Sequence, residues 1–233
     1  MLNPSDFAAH VLYEDNHLLV VNKPAELATM GVTEGSPSVI TAAKAYLKRK
    51  YDKPGNVYLG VVSRLDALVS GVLVLARTSK AAARLTEQFR ERETKKVYWA
   101  VVEEPPSPAA GSLVHWMRKE EQLQRMVITS ANAPGSQEAR LSYGTLRRLP
   151  RGILMEVRLE TGRKHQIRLQ LSQSGWPILG DQKYGSRRSF PAGIALHAKT
   201  LTITHPTLQT VLTFAAPLPE AWKSVGISNQ EPD

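Results

Sequence analysis

A chain of 233 residues, 42% hydrophobic and 22% charged, is long enough to bury a sizeable core and has an ordinary globular composition. The lack of cysteine excludes disulfides, thiolate metal sites and a cysteine nucleophile. No apolar run approaches the roughly 18 residues of a membrane helix, and Met1-Leu2-Asn3-Pro4-Ser5-Asp6 lacks the features of a secretory signal, so a soluble cytoplasmic protein is expected. Thirty Lys and Arg against 21 Asp and Glu give a net charge of +9, which favours a polyanionic partner, nucleic acid being the commonest, over a merely solubilising surface.

His10 to Tyr13 and Leu18 to Val21 read as two short strands joined by the polar turn Glu14-Asp15-Asn16, and Asn22-Lys23-Pro24 stops the second. Residues 25–37 read as a polar loop and Pro37 to Lys50 as an amphipathic helix with a basic face. After a turn at Asp52 to Asn56, the apolar segment 57–76 predicts two strands broken near Ala67 to Gly71. Thr78 or Ser79 caps a helix to about Arg92, with Ala81, Ala82, Leu85, Gln88 and Phe89 on its buried side. Val97 to Val102 is a strand, and Glu103 to Pro108 reads as a loop rather than a domain linker. Residues 137–148 and 152–160 form a strand pair across a turn at Pro150. Gly162 to Ser174 is a helix, capped by Gly175 and closed by Pro177. Ile194 to Phe214 is strand-rich, with a turn at His205-Pro206-Thr207. Strands with about three helices between them predict an α+β protein on one mixed, mostly antiparallel sheet.

Val61 to Ala76 holds one arginine and one aspartate in an otherwise almost wholly apolar run. If residues 61–66 are extended, Arg64 and Asp66 point to one face, as either a structural ion pair or part of an active site. Basic residues cluster at Lys44 to Lys53, Arg90 to Lys96, Arg147 to Arg151, Arg163 to Arg168 and Arg187-Arg188. Tyr46, Tyr51, Tyr98, Trp99 and Tyr184 lie beside them, a pattern that suits phosphate gripping and base stacking. The six histidines make no HxH or HExxH pair, so no metal is expected, and no dinucleotide, P-loop or GxSxG motif calls for a cofactor. Val69-Ser70-Gly71 reads as a turn, Asp181 as a turn residue bonding its own backbone, and His197 and His205 as satisfied strand-end histidines.

Five segments, in order, resemble the signatures of the RluA-type pseudouridine synthases. They are Asn22-Lys23-Pro24; Arg64-Leu65-Asp66 with Ser70-Gly71; Lys96-Val97-Tyr98-Trp99-Ala100; Thr161 to Arg168 running on through Gly175 to Gly185; and Leu196 to Leu201 with His205-Pro206. The resemblance covers roughly residues 10–217. It implies a single catalytic domain on a bent mixed sheet crossed by an active cleft, without the small N-terminal RNA-binding domain that many relatives carry. The implied substrate is ribosomal or transfer RNA. Nothing in the sequence demands a dimer, so a monomer is expected.

The resemblance also implies roles. Asp66 is the essential carboxylate at the sugar–base junction, as nucleophile or as base; Arg168 is the positive partner that keeps it ionised. Tyr98 packs against the target base and takes the proton from carbon 5. Arg64 holds the flipped nucleotide. Arg163, Lys164 and His165, where a helix begins, read as a phosphate seat, or else as a solvated helix face. Ser63, Ala67-Leu68, Val69, Gln170 and Glu26 depart from the family pattern, which puts rate and substrate choice in question more than the reaction. Two competing readings are a catalytically silent RNA-binding protein or chaperone, favoured by the altered loop at 67–70, and a glycosidase, for which no second carboxylate lies near Asp66 in the chain.

Overall fold

The computed structural model describes residues 4–31 and 36–227; residues 32–35, the middle of the expected loop 25–37, lie outside the described residues, as do the first three. In chain order come α1 (Pro4–Ala8), β1 (Val11–Glu14), β2 (Leu18–Lys23), α2 (Val39–Lys50), β3 (Gly60–Val61), β4 (Ser70–Ala76), α3 (Ser79–Arg90) and β5 (Lys95–Val102). There follow β6 (Ala110–Glu120), β7 (Arg125–Thr129), β8 (Gln137–Leu149), β9 (Gly152–Leu159), α4 (Gln166–Gln173), β10 (Leu196–Thr204) and β11 (Val211–Ala215). The chain divides into two compact units, one of Met1–Thr94 with Ala198–Pro217 and one of Lys95–His197 with Leu218–Asp233.

In the first unit β2 pairs antiparallel with β1 and β4, β3 with β4, and β10 with β11. Every residue of β4 is buried, which is why its sequence is a continuous apolar run rather than an alternation. Side chains alternate between the two faces, and each face has a cover. Leu19, Val21, Leu73 and Leu75 pack with Phe7 of α1 and Ala43, Tyr46 and Leu47 of α2. Leu18, Val20, Val72, Val74 and Ala76 pack with Ala81 and Leu85 of α3 and with Leu201, Ile203 and Phe214. Ser38 and Thr41 form a reciprocal capping box that starts α2, and the Thr78 hydroxyl caps α3. Tyr46 is not a base-stacking platform: it is buried, and its hydroxyl donates to Glu14 at 2.8 Å. His205 is fully buried, with Nε2 2.8 Å from Asp15 and Nδ1 accepting from the Thr207 and Leu208 amides.

The second unit is built on antiparallel strands in the order β5–β9–β8–β6–β7. The expected strand pair across Pro150 is β8 and β9, closed by a two-residue turn. The hairpin of β6 and β7 escaped prediction, because its residues 115–125 are mostly polar or charged and lack a β-branched run. The helix expected from Gly162 begins only at Gln166. His165 before it is left-handed (φ 53°, ψ 24°), which no right-handed helix admits. Gln166 fixes that start: its Oε1 accepts from the Thr161 hydroxyl at 2.7 Å and the Arg163 amide at 3.0 Å, and its Nε2 donates to the Arg140 carbonyl at 3.0 Å.

Candidate active site

Asp66 lies in the first unit, at the end of an irregular stretch and the start of a turn in which the Val69 amide donates to its carbonyl at 3.1 Å. The break in the 57–76 segment therefore runs over residues 62–69, longer than the sequence suggested, because β3 ends at Val61. Residues 62–66 are outside any strand and Arg64 is exposed while Asp66 is half-buried, so the picture of two charges side by side on one strand face does not hold.

The backbone on both sides of Asp66 is anchored by buried polar side chains. The Thr29 hydroxyl donates to the Leu65 carbonyl at 2.9 Å and accepts the Leu65 amide at 3.2 Å. The fully buried Lys23 ammonium donates to the carbonyls of Pro24 and Leu27, both at 2.7 Å, and of Ala67 at 3.1 Å. Three acceptors match the three donors of a charged lysine. Burial nevertheless pushes its pKa down to about 7, against the pull of the Asp66 charge in the other direction. Downstream, Gly71 has φ +115°, and a Cβ there would lie 2.3 Å from the Ala198 carbonyl oxygen, so only glycine allows this approach. Glu26 occupies a left-handed position (φ 65°), a conformation that favours glycine, the residue the family resemblance leads one to expect there.

Tyr98, Arg168, Arg163, Lys164 and His165 all lie in the second unit. Tyr98 is half-buried on β5, opposite Val157 of β9. Arg168 is buried and grips Asp181 bidentately, Nε to Oδ2 at 2.7 Å and Nη2 to Oδ1 at 2.8 Å. Asp181 thus gives its carboxylate to an arginine thirteen residues away rather than to its own turn backbone, a correction to the sequence reading. The Arg168 guanidinium also sits over the Tyr184 ring, 5.0 Å from its centroid. Tyr184 is buried and so, like Tyr46, is no stacking platform. Arg163 is half-buried, its Nε donating to the Glu138 carbonyl at 3.0 Å; Lys164 is exposed. His165 is half-buried, with Nδ1 2.8 Å from the Tyr184 hydroxyl. Gln170 is a core residue, fully buried, whose Nε2 donates to the carbonyls of Leu113 and Ala139.

A model of the RNA pseudouridylate synthase family matches residues 17–173, well over half of the chain. The chain belongs to that family. It is 37% identical over 216 residues to the dual-specificity RNA pseudouridine synthase RluA of Escherichia coli K12, covering 89% of this chain and 92% of that one. It is 35% identical to the ribosomal large subunit pseudouridine synthase D of Xanthomonas campestris, over 93% of this chain and 68% of that one. Human RNA Pseudouridylate Synthase Domain Containing 4 superposes with a TM-score of 0.79 at 25% identity, covering 96% and 95% of the two chains. The chain is therefore an RluA-type RNA pseudouridine synthase of α+β fold.

Sequence reasoning gave no role to Lys23 and Thr29, and assigned Tyr184 and Asp181 elsewhere. A lysine between an apolar strand and a proline was the available signal for Lys23, since a charge there is buried or the strand ends early. Nothing in the sequence separates Thr29 from an ordinary loop threonine. Among the described residues no helix is long and apolar enough to cross a membrane, and no group of three or more His, Asp or Glu is placed to hold a metal.

Proposed function

We propose that this synthase isomerises uridine in ribosomal or transfer RNA with Asp66 as the essential carboxylate, acting as a cytoplasmic monomer without metal or cofactor. The bond from uracil N1 to ribose breaks, the base rotates, and C5 bonds to the sugar; C5 gives up its proton and N1 gains one. No electron leaves the system, so the chemistry calls for no redox partner. The observation that carries the reading is the doubly anchored Asp66 loop, in which Thr29 and Lys23 hold the main chain on either side of one carboxylate.

In this reading Arg168, which clamps Asp181 with two of its donors, is assigned the role of positive partner to the catalytic carboxylate. Tyr98 packs on the base and receives the C5 proton. Arg64, exposed beside Asp66 in sequence, holds the flipped nucleotide, and Arg163, Lys164 and His165 contact RNA phosphate. The whole chain works as one catalytic domain, a reading supported by a family match that runs through parts of both compact units. The name of the Xanthomonas relative favours ribosomal RNA among the substrates.

The test is tritium release from transcripts carrying 5-tritiated uridine, with large ribosomal RNA and pooled transfer RNA as substrates. Wild type is expected to release tritium, and Asp66→Asn to bind RNA with similar affinity and release none. Equal release by Asp66→Asn would remove Asp66 from the chemistry.

A further inference from the structure

Tyr184 joins two groups of the proposed site. It lies in a core with Met117, Met126, Ala139 and Leu169, only 5% exposed. Filling that core would take no more than an apolar ring, yet the residue carries a hydroxyl that meets a backbone amide and a histidine. The Met126 amide donates to Oη at 3.1 Å, and His165 Nδ1 lies 2.8 Å from the same oxygen. The ring face carries the Arg168 guanidinium, and the Tyr184 carbonyl accepts from the Ser172 hydroxyl at 2.6 Å, which ties the residue to α4.

We propose that Tyr184 is a positioning residue: its hydroxyl donates to His165 Nδ1 and fixes the imidazole tautomer, and its ring sets the plane of the Arg168 guanidinium. The inference rests on reading His165 as an RNA contact and Arg168 as the partner of the catalytic carboxylate. A backbone N–H can only donate, so the phenol oxygen accepts from Met126 and has its single proton to give to the nearby ring nitrogen. With Nδ1 accepting, the neutral imidazole carries its proton on Nε2, which becomes the donor for a substrate oxygen. His165 stands in the left-handed region at the start of α4, where a non-glycine residue pays a backbone cost, and the tether to Tyr184 holds it there. A guanidinium is planar and stacks on aromatic faces, so the ring beneath Arg168 selects the orientation from which its fork meets Asp181 edge-on.

Two substitutions in the full chain separate the hydroxyl from the ring. Tyr184→Phe keeps the face and removes the proton; Tyr184→Leu removes both. Nitrogen NMR of the histidine rings reports the His165 tautomer, assigned with His165→Gln, and tritium release gives KM and kcat. In wild type, His165 is expected as the Nε2–H form. Tyr184→Phe should yield a tautomer mixture and raise KM roughly three- to tenfold, the size of one neutral hydrogen bond, with kcat within about twofold. Tyr184→Leu should in addition lower kcat by about tenfold, the size of a partly desolvated cation–π contact. A purely structural tyrosine would leave the tautomer unchanged in the folded variants and scale activity only with the folded fraction, and that result overturns the proposal. If Tyr184→Leu does not fold, Tyr184→Phe decides alone. Undiminished kinetics in His165→Gln or Arg168→Lys would refute the underlying reading instead, and with it the kinetic half of the proposal, while the tautomer still reports the hydrogen bond.

Discussion

Replacing Lys23 by methionine keeps the length of the side chain and removes the ammonium. Two opposing changes follow. The three carbonyls of Pro24, Leu27 and Ala67 lose their donor, at about 1–3 kcal/mol for the buried Leu27 bond and less for the two part-buried ones. Against this, the variant escapes the cost of burying a charge. The fall of the Lys23 pKa from 10.5 to about 7 sets that cost at about 5 kcal/mol, at about 1.36 kcal/mol for each pH unit. Near pH 7 the two largely offset. The pH dependence does not cancel, because only wild type has the titrating group. Lys23 holds its proton less tightly folded than unfolded, so between about 7 and 10.5 the unfolded chain binds more protons and stability rises with pH. The stability difference, wild type minus Lys23→Met, should be flat below pH 7 and grow by up to about 1.4 kcal/mol per unit above it. Urea unfolding from pH 6 to 9.5 measures it. A difference that stays constant across pH 7 to 9.5 would refute the reasoning. Tritium release at pH 7 should fall about a hundredfold in the variant, since freeing the Ala67 carbonyl shifts Asp66.

Asp181→Asn leaves the Arg168 charge without its buried bidentate partner and should cost about 3–5 kcal/mol in urea unfolding; a loss below about 1 kcal/mol would mean the pair is not what holds Arg168. Gly71→Ala drives a Cβ into the Ala198 backbone and should lower stability by more than about 3 kcal/mol. Gly175→Ala, also at positive φ but with nothing within 4 Å, should cost only about 1 kcal/mol, and similar thermal shifts for both would contradict the close approach at Gly71. RNA affinity should fall with salt at a log–log slope of about −0.7 per phosphate contacted on single strands; filter binding across a salt series checks it, and a flat response would sink the basic-surface reading.

The regular elements were legible where burial writes a period into the sequence. The runs at 18–21 and 72–76 read as strands because both faces of β2 and β4 are covered, and α3 read as a helix because Thr78 caps it and Ala81 and Leu85 return on one side. The hairpin of β6 and β7 was illegible for the opposite reason, since Arg118, Lys119, Glu120 and Arg125 interrupt the apolar alternation that a half-buried strand would carry. Asp66, Tyr98 and Arg168 were named from motifs, which identify residues but not their partners. The Arg168–Asp181 clamp joins residues thirteen apart across a helix and a turn, and Lys23 reaches Ala67 across forty-four residues. Such pairings follow from the fold, and no local pattern encodes them.

The loop after Asp66 departs from the pattern the family resemblance leads one to expect at Ala67, Leu68 and Val69, and the anchors of the loop do not use those side chains. Lys23 grips the carbonyl of residue 67 and Thr29 the amide and carbonyl of residue 65, while the turn closes through the amide of residue 69. All four are main-chain atoms, present whatever side chains the loop carries. The side chain of Val69 is buried, so a methyl in place of a hydroxyl there trades a polar group for packing. What the loop cannot exchange is Gly71, where any Cβ meets the Ala198 backbone, and the residues that supply the anchors. The hold on this loop is made by main-chain atoms, and the carboxylate stays between two fixed peptide units.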